Sequence, residues 1–305
     1  MGEKGIVILS PERCANDISI LLNAYKGPDR FPVDVIDIAQ RYSAQRFPDD
    51  PISLVRGDNL PNFDGALYRA SDSKKGWGII YNNRITSIGR INFTLAHEFG
   101  HYLLHRVTYP DGLYCSPEKV AEWDSEYGQI ENQANVFAAG LLMPLDDFRA
   151  QIKGRLIDID VMTELSDRYA VSLTAAILKW MTITDKRAMI VVGKEGFIDW
   201  AWSSEPLLKS GVFYRARQVV TELPPASLAA QEVDWDTGRH GHHHPAGVWA
   251  GSEPVREMTV FSPGNEMSIS LLLYPDHAPS RWEMAELEEE PTLDTFDKFM
   301  GGDAR

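Results

Sequence analysis

The chain has 305 residues, of which 44% are hydrophobic and 24% are charged, and these proportions are ordinary for a folded globular protein. A formal net charge of −14 argues against broad binding to a phosphate backbone, which requires clustered Lys and Arg. No stretch approaches eighteen consecutive apolar residues, so we expect no membrane span. The length exceeds what one compact core usually needs, and we therefore expect two domains.

The cysteines and the N-terminus indicate the compartment. Cys14 and Cys115 are too few for a disulfide framework, and free thiols are typical of a reducing cytoplasm. The apolar run IVIL near the N-terminus is too short for the core of a signal peptide. We therefore expect a cytoplasmic protein.

The first hundred residues alternate between helical and strand patterns. Residues 11–25 have apolar positions at helical spacing, with Pro11 in the first turn. GALYRA and WGIIYN are predicted strands joined by a polar turn. The predicted elements of this part are a helix at 11–25, a helix at 32–43, strands at 65–70 and 77–82, and a helix at 94–105. Asn92 is a plausible N-cap for the last of these helices.

Helical patterns continue to about residue 181. The segment 129–142 is predicted to be helical and to end before Pro144, and DDFRAQIKG is predicted to form another short helix. Residues 161–180 have the rhythm of a helix-turn-helix, with a break near Val171. Their charges balance, which favours a structural role over DNA binding because phosphate contact needs cations.

The pattern changes after residue 185. RAMIVVGKEGFIDWAW and MTVFSPGNEMSISLLLY are both predicted to be β-hairpins. We therefore predict an α+β protein with a mainly helical domain over 1–185 and a β-rich domain over 186–305. Between the hairpins, RHGHHHP places His240 and His242–His244 in what we expect to be an exposed loop; a second metal site there is the alternative.

The segment TLAHEFGHYLLH holds three histidines spaced four residues apart. On an α-helix, residues four apart lie on one face, so His97 and His101 can point at a single ion. Glu98 lies about 100° round the helix from His97, which suits a base acting on metal-bound water better than a ligand. Apolar neighbours predict that the helix is buried. We therefore predict a metal site with Glu98 as the catalytic residue.

The third ligand must come from elsewhere. A catalytic zinc site usually has three protein ligands, and the position six residues after His101 is Val107, which cannot bind. Glu131 is the better candidate. The residues at helical spacing from it are small or apolar, so this face of the helix is expected to point inward. The competitors lie between these two helices and are Glu118, Glu122, Asp124 and Glu126. His105 is expected to support the site structurally or as a neighbour of a ligand.

The two motifs together resemble the ImmA/IrrE family of metallopeptidases. INFTLAHEFGHYLLH followed by IENQANVFAAGLLMP is similar to the family's paired helices, and the likeness extends over about residues 10–180. The resemblance implies a zincin-like fold with a small sheet and one zinc ion per chain. It also implies that His97, His101 and Glu131 bind zinc and that Glu98 is catalytic.

The resemblance also implies a function. Relatives cleave helix-turn-helix repressors, so we expect a site-specific endopeptidase that switches on a stress or mobile-element response by cutting such a protein. Tyr114, Tyr127 and His105 are possible donors to the oxyanion. A role for the β-rich domain in sensing a signal or binding the substrate is expected.

Two other classes of function stay open. The protein could be a non-proteolytic zinc-containing regulator that acts through ligand or protein binding by its C-terminal domain. It could instead bind DNA directly through residues 161–180, although the net charge of −14 disfavours this.

Overall fold

The architecture is α+β, as the sequence predicts, with helices gathered in the first part of the chain and a β-rich region after them. It is taken from a computed structural model that describes residues 10–70, 75–114, 126–216, 218–262 and 267–277. The chain forms two compact units. Among the described residues, the first contains those up to Lys153 together with Leu165–Ser172, and the second contains Gly154–Glu164 and those from Leu173 onward.

The division between the two units passes through one helix, and residues from Leu173 onward belong to the second unit. The helices are α1 Pro11–Lys26, α2 Val35–Arg46, α3 Ile88–His105, α4 Glu126–Leu142, α5 Leu145–Ile152, α6 Ile159–Tyr169, α7 Leu173–Met181, α8 Glu205–Lys209, α9 Leu228–Gln231 and α10 Trp235–His240. The strands are β1 Ile52–Asp58, β2 Gly65–Arg69, β3 Trp77–Asn82, β4 Gly112–Tyr114, β5 Ala188–Lys194, β6 Phe197–Ser203, β7 His242–His244, β8 Val255–Ser262 and β9 Met267–Leu273.

The first unit contains a four-stranded sheet in the order β1-β3-β2-β4. β2 and β3 pair antiparallel, as predicted for the GALYRA and WGIIYN segments, while β1 runs parallel to β3. Strands β1 and β4 were not predicted from the sequence. Helix α3 packs against β2 and β3, and the fully buried side chains of Leu67, Ile79 and Phe99 lie in the core of this unit. The sheet therefore supports the helix that bears the histidine motif.

Helix α3 begins five residues earlier than it would if Asn92 were its N-cap. Its N-cap is Ser87, whose hydroxyl accepts a hydrogen bond from the backbone N–H of Arg90. The Asn92 prediction was wrong because residues 88–93 continue the helix, and its side-chain amide instead donates to the carbonyl of Ala170. The polar residue that resembles a cap thus fastens α3 to the turn after α6.

Helices α3 and α4 pack closely. A side chain at Gly100 would place its Cβ 2.9 Å from Cδ1 of Phe137 and 3.3 Å from Cα of Ala134, so glycine is needed for this approach. The fully buried Phe137 and Phe99 rings meet edge to face beside it. The cost of a glycine within a helix, about 1 kcal/mol relative to alanine, is offset by bringing the two helices together.

The predicted break in the helix-turn-helix-like segment is present. Ala170 adopts a positive φ of 48° between α6 and α7, and the hydroxyl of Ser166 donates to the carbonyl of Val171. Arg168 is held by Asp147 through two hydrogen bonds of 2.8 and 2.9 Å. This cation of the segment is therefore engaged within the protein, which agrees with the predicted structural role.

The second unit contains an antiparallel sheet in the order β6-β5-β9-β8-β7. Both predicted hairpins are present, since β5 pairs with β6 and β8 pairs with β9. The expectation that the histidine cluster forms an exposed loop was wrong in part. His242–His244 form an edge strand paired with β8, in which His242 and His243 are exposed and His244 is 5% exposed.

A fully buried carboxylate organises this part of the second unit. Glu257 on β8 faces a set of donors, and Nε2 of His244 lies 2.8 Å from its Oε2. The donors are the backbone N–H groups of Leu228 and Ala229, the indole N–H of Trp249 and the hydroxyl of Thr259. Burying a charge requires such partners, so this cluster is a structural anchor.

Two further expectations concern the cysteines and the membrane. Cys14 is a free, buried thiol on α1, whereas Cys115 lies outside the described residues. Within the described ranges, no helix has the length and apolarity needed to cross a bilayer.

Candidate metal centre and cleft

Helix α3 brings the motif residues to one buried location. His97 is 9% exposed, Glu98 1% and His101 0%. Their burial follows from the packing of α3 between the sheet and α4. Nε2 of His97 lies 2.9 Å from Nε2 of His101, so the four-residue spacing converges the two rings as predicted.

Helix α4 adds Glu131 to the two histidines. Its Oε2 lies 3.1 Å from Nε2 of His97, and its Oε1 lies 3.3 Å from Nε2 of His101. The carboxylate is 4% exposed. Glu118, Glu122 and Asp124 lie outside the described residues, as does the side chain of Glu126.

The three groups fit a metal ion. Ligand atoms about 2.0–2.1 Å from a tetrahedral zinc ion are roughly 3.3 Å apart, close to the 2.9–3.3 Å spacings seen here. Two imidazoles and a carboxylate are also a donor set that zinc accepts. In the described parts of the chain, His97, His101 and Glu131 are the one group of three such residues that could hold a metal ion.

The second nitrogen of each histidine also has a partner. Nδ1 of His97 lies 2.9 Å from the side-chain oxygen of Asn135, and Nδ1 of His101 lies 3.0 Å from Nδ1 of His105. Nε2 of His105 in turn lies 3.0 Å from the side-chain oxygen of Gln133. The rings are thereby held from behind, on the side away from Glu131.

This arrangement bears on the possible oxyanion donors. Both ring nitrogens of His105 are engaged, and the residue is 4% exposed and absent from the cleft lining, so the idea that it serves the oxyanion is not supported. Its predicted supporting position next to a histidine of the motif agrees with the geometry. The side chains of Tyr114 and Tyr127 lie outside the described part of the chain.

The charges of the cluster are coupled. Burial favours the neutral acid at Glu131, but hydrogen bonds with His101 and His97 outweigh it and hold the pKa of that carboxyl well below its usual range. Burial, followed by the charge of His97, lowers the pKa of His101 to about 4. For His97, burial is outweighed by Glu131 and Glu98, and its pKa is raised. Glu131 is therefore ionised, whereas His101 is neutral and can offer a lone pair.

A cleft of about 440 Å³ opens onto this cluster within the first unit. It is lined by Pro61, Asn62, Phe63, Asp64, Gly65, Asn82, Arg90, Phe93, Thr94, His97, Glu98, Glu131 and Asn135. Glu98 thus faces the same space as two members of the cluster. At the mouth, Arg90 forms two hydrogen bonds with Asp64, at 2.7 and 2.9 Å, joining α3 to the loop before β2.

The first residue of β2 lies directly over Glu98. A Cβ at Gly65 would be 2.5 Å from Cγ2 of Thr94 and 3.0 Å from Oε1 of Glu98. Because glycine has no Cβ, the Glu98 carboxylate has room at this place.

Sequence reasoning missed four residues of this site: Gln133, Asn135, Gly65 and Thr94. Asn135 follows Glu131 by four residues and so shares its face of α4, where a polar side chain among small residues was a usable signal. Gln133 and Gly65 gave no such signal, because each acts through a contact between segments far apart in the sequence.

The comparisons with known proteins agree with this geometry. Residues 52–181 match the model of a peptidase family, M78, described as the IrrE N-terminal-like domain. The chain contains an IrrE N-terminal-like peptidase domain. The resemblance noted in the sequence is thus confirmed, and the matched segment includes all of the residues of the cluster together with Glu98.

Beyond the IrrE N-terminal-like domain, one solved structure is similar over most of the chain. It is described as a Mycobacterium tuberculosis transcriptional regulator, with a TM-score of 0.53 and 15% sequence identity. The match covers 93% of this chain and 87% of that one. At this identity the likeness shows a common fold alone. No curated protein sequence matches the chain significantly.

Proposed function

We propose that the protein is a zinc-dependent endopeptidase in which His97, His101 and Glu131 bind one zinc ion and Glu98 is the catalytic residue. The observation that carries the proposal is the convergence of these three groups, 2.9–3.3 Å apart, in a cleft that Glu98 also lines. The match to a peptidase family over the same residues supports hydrolysis as the chemistry.

Each group then has a defined task. A bound zinc ion would polarise the peptide carbonyl and lower the pKa of a water molecule toward about 7. Glu98 accepts a proton from that water as the water oxygen bonds to the carbonyl carbon. Glu98 then delivers the proton to the amide nitrogen as the C–N bond breaks, so one water is consumed and one amine is released. Glu98 is 1% exposed, which keeps its carboxylate largely out of bulk water.

We propose a cytoplasmic helix-turn-helix repressor as the substrate. The resemblance to repressor-cleaving relatives supports this substrate. The cleft of about 440 Å³ is large enough for a few side chains, which suits an extended peptide. We assign the β-rich region, proposed as a domain over 186–305, to sensing a signal or binding the substrate.

The test uses the full chain and purified helix-turn-helix repressors, beginning with any that is encoded beside its gene. Zinc-loaded protein should release one defined pair of fragments, and Glu98→Gln should lose at least about 100-fold in cleavage rate because general acid–base catalysis contributes 10²–10⁴-fold. Zinc content should stay near one per chain in that variant. Glu12→Gln, which removes an exposed carboxylate from the first turn of α1, is the matched control and should cleave normally.

Two results would contradict the proposal. Loss of zinc in Glu98→Gln would mean that this residue is a ligand. An intact repressor that stays bound to the zinc-loaded protein would instead favour the non-proteolytic regulator, acting through its second unit.

A further inference from the structure

The orientation of His97 is determined by an amide on the neighbouring helix. The side-chain oxygen of Asn135 lies 2.9 Å from Nδ1 of His97, and an amide oxygen can only accept a hydrogen bond. Nδ1 must therefore carry the proton. A neutral His97 then has its lone pair on Nε2, the atom that faces His101 and Glu131.

The orientation of His101 follows from a longer chain of contacts. The side-chain oxygen of Gln133, again an acceptor, lies 3.0 Å from Nε2 of His105, so this nitrogen is the donor. The remaining nitrogen of His105 then has a lone pair, and it lies 3.0 Å from Nδ1 of His101. Nδ1 of His101 must donate to it, which leaves the lone pair of His101 on Nε2, facing Glu131.

All of these constraints originate on α4. Glu131, Gln133 and Asn135 occur within five consecutive residues, so the helix that supplies the carboxylate also supplies both amides. Residues four apart share a face, which is why Asn135 reaches the cluster beside Glu131. Gln133 lies on a different side of α4 and reaches the cluster through His105.

We propose that Gln133 and Asn135 are positioning residues that fix the metal-binding tautomers and ring orientations of the two ligand histidines, Gln133 through His105. Without the amide oxygens, each ring could place its proton on Nε2, where it would have to be removed before a metal could bind. The inference rests on the metal centre of the proposed function, but it concerns metal affinity and not proteolysis.

The first test measures the zinc dissociation constant by competition with a chromophoric chelator. Gln133→Leu, which removes the acceptor at similar size, should weaken zinc binding about 10–100-fold, the usual effect of losing a partner behind a metal ligand. Gln133→Glu keeps an oxygen acceptor and should restore the affinity to near that of the wild type. Gln129→Leu, at an exposed position of the same helix, is the matched control.

A second measurement needs no variant and so does not depend on folding. In the zinc-loaded wild type, long-range ¹H–¹⁵N spectra should show His105 with its proton on Nε2 and none on Nδ1. The opposite tautomer would overturn the inference, as would equal zinc affinity in Gln133→Leu and Gln129→Leu. If the wild type binds zinc tightly and these results hold while no repressor is cleaved, the proteolytic function fails and the positioning roles stand.

Discussion

Replacing Gly65 with alanine tests whether the strand above Glu98 sets the position of that carboxylate. The added methyl carbon would lie 2.5 Å from Cγ2 of Thr94, where ordinary contacts begin at 3.4 Å, so the two would overlap by about 0.9 Å. It would also lie 3.0 Å from Oε1 and 3.2 Å from Cγ of Glu98. Thr94 is 6% exposed, so it cannot swing into solvent, and β2 must shift or Glu98 must rotate.

We expect this variant to lose both cleavage rate and stability. A displacement approaching 1 Å in a catalytic site can cost about 100-fold in rate. Overpacking of a core typically costs about 1–3 kcal/mol in the free energy of unfolding. The three atoms nearest to the added carbon belong to Thr94 and Glu98, and none belongs to a proposed zinc ligand. Zinc affinity should therefore stay unchanged.

The assay is the rate of cleavage of the repressor, with zinc affinity measured in parallel. Thr94→Ala alone should cleave nearly as fast as the wild type, and Gly65→Ala combined with Thr94→Ala should recover part of the lost rate because the worst overlap is gone. A wild-type rate in Gly65→Ala would refute the reasoning, as would a double variant slower than the two single effects combined.

Three further perturbations test stability. Burial favours the neutral form of Asp147, but the hydrogen bonds from Arg168 and Tyr169 outweigh burial and lower the pKa of this carboxyl. Asp147→Asn should therefore reduce the free energy of unfolding in urea by about 1–3 kcal/mol at neutral pH. This difference should shrink below pH 3.8, where the carboxylate becomes protonated. An unchanged difference in acid would contradict this. Zinc at 100 times its dissociation constant should stabilise the first unit by about 2.7 kcal/mol, and EDTA should reverse the rise in Tm seen by calorimetry. Glu257→Gln turns an amide N–H₂ toward buried donors such as the indole of Trp249 and should lower the Tm of the second unit by several degrees, whereas an unchanged Tm would argue against the anchor.

The sequence was informative wherever a contact is made within one helix. The spacing of His97 and His101 defines their convergence through helix geometry alone, and the apolar stripe of α4 was enough to select Glu131 for the same location. The two C-terminal hairpins were equally predictable, because each pairs segments that are adjacent in the chain.

The remainder depends on contacts between distant segments. Strand β1 pairs parallel with β3 over a separation of about 25 residues, and its burial pattern does not alternate, so nothing local marks it as a strand. Asn92 shows the same limit, since its partner at Ala170 is 78 residues away and its local appearance favoured a helix cap. His244 is buried with its Nε2 2.8 Å from Oε2 of Glu257 on the neighbouring strand, a contact that the run of histidines conceals.

Gly100 bears on which cation the cluster could accept. Two of the cluster's side chains, His97 and His101, belong to α3, and Glu131 belongs to α4. The distance between the histidines and the carboxylate therefore depends on the separation of the two helices. A Cβ at position 100 would press on Phe137 and on the backbone of Ala134 and force the helices apart, so glycine permits their present separation. Ligand atoms held this close together suit an ion with short metal–ligand bonds. They disfavour Ca²⁺, whose bonds are about 2.3–2.6 Å long and which needs more oxygen ligands. The glycine at position 100 thus influences which size of ion the cluster would accept, although it does not contact the ion itself.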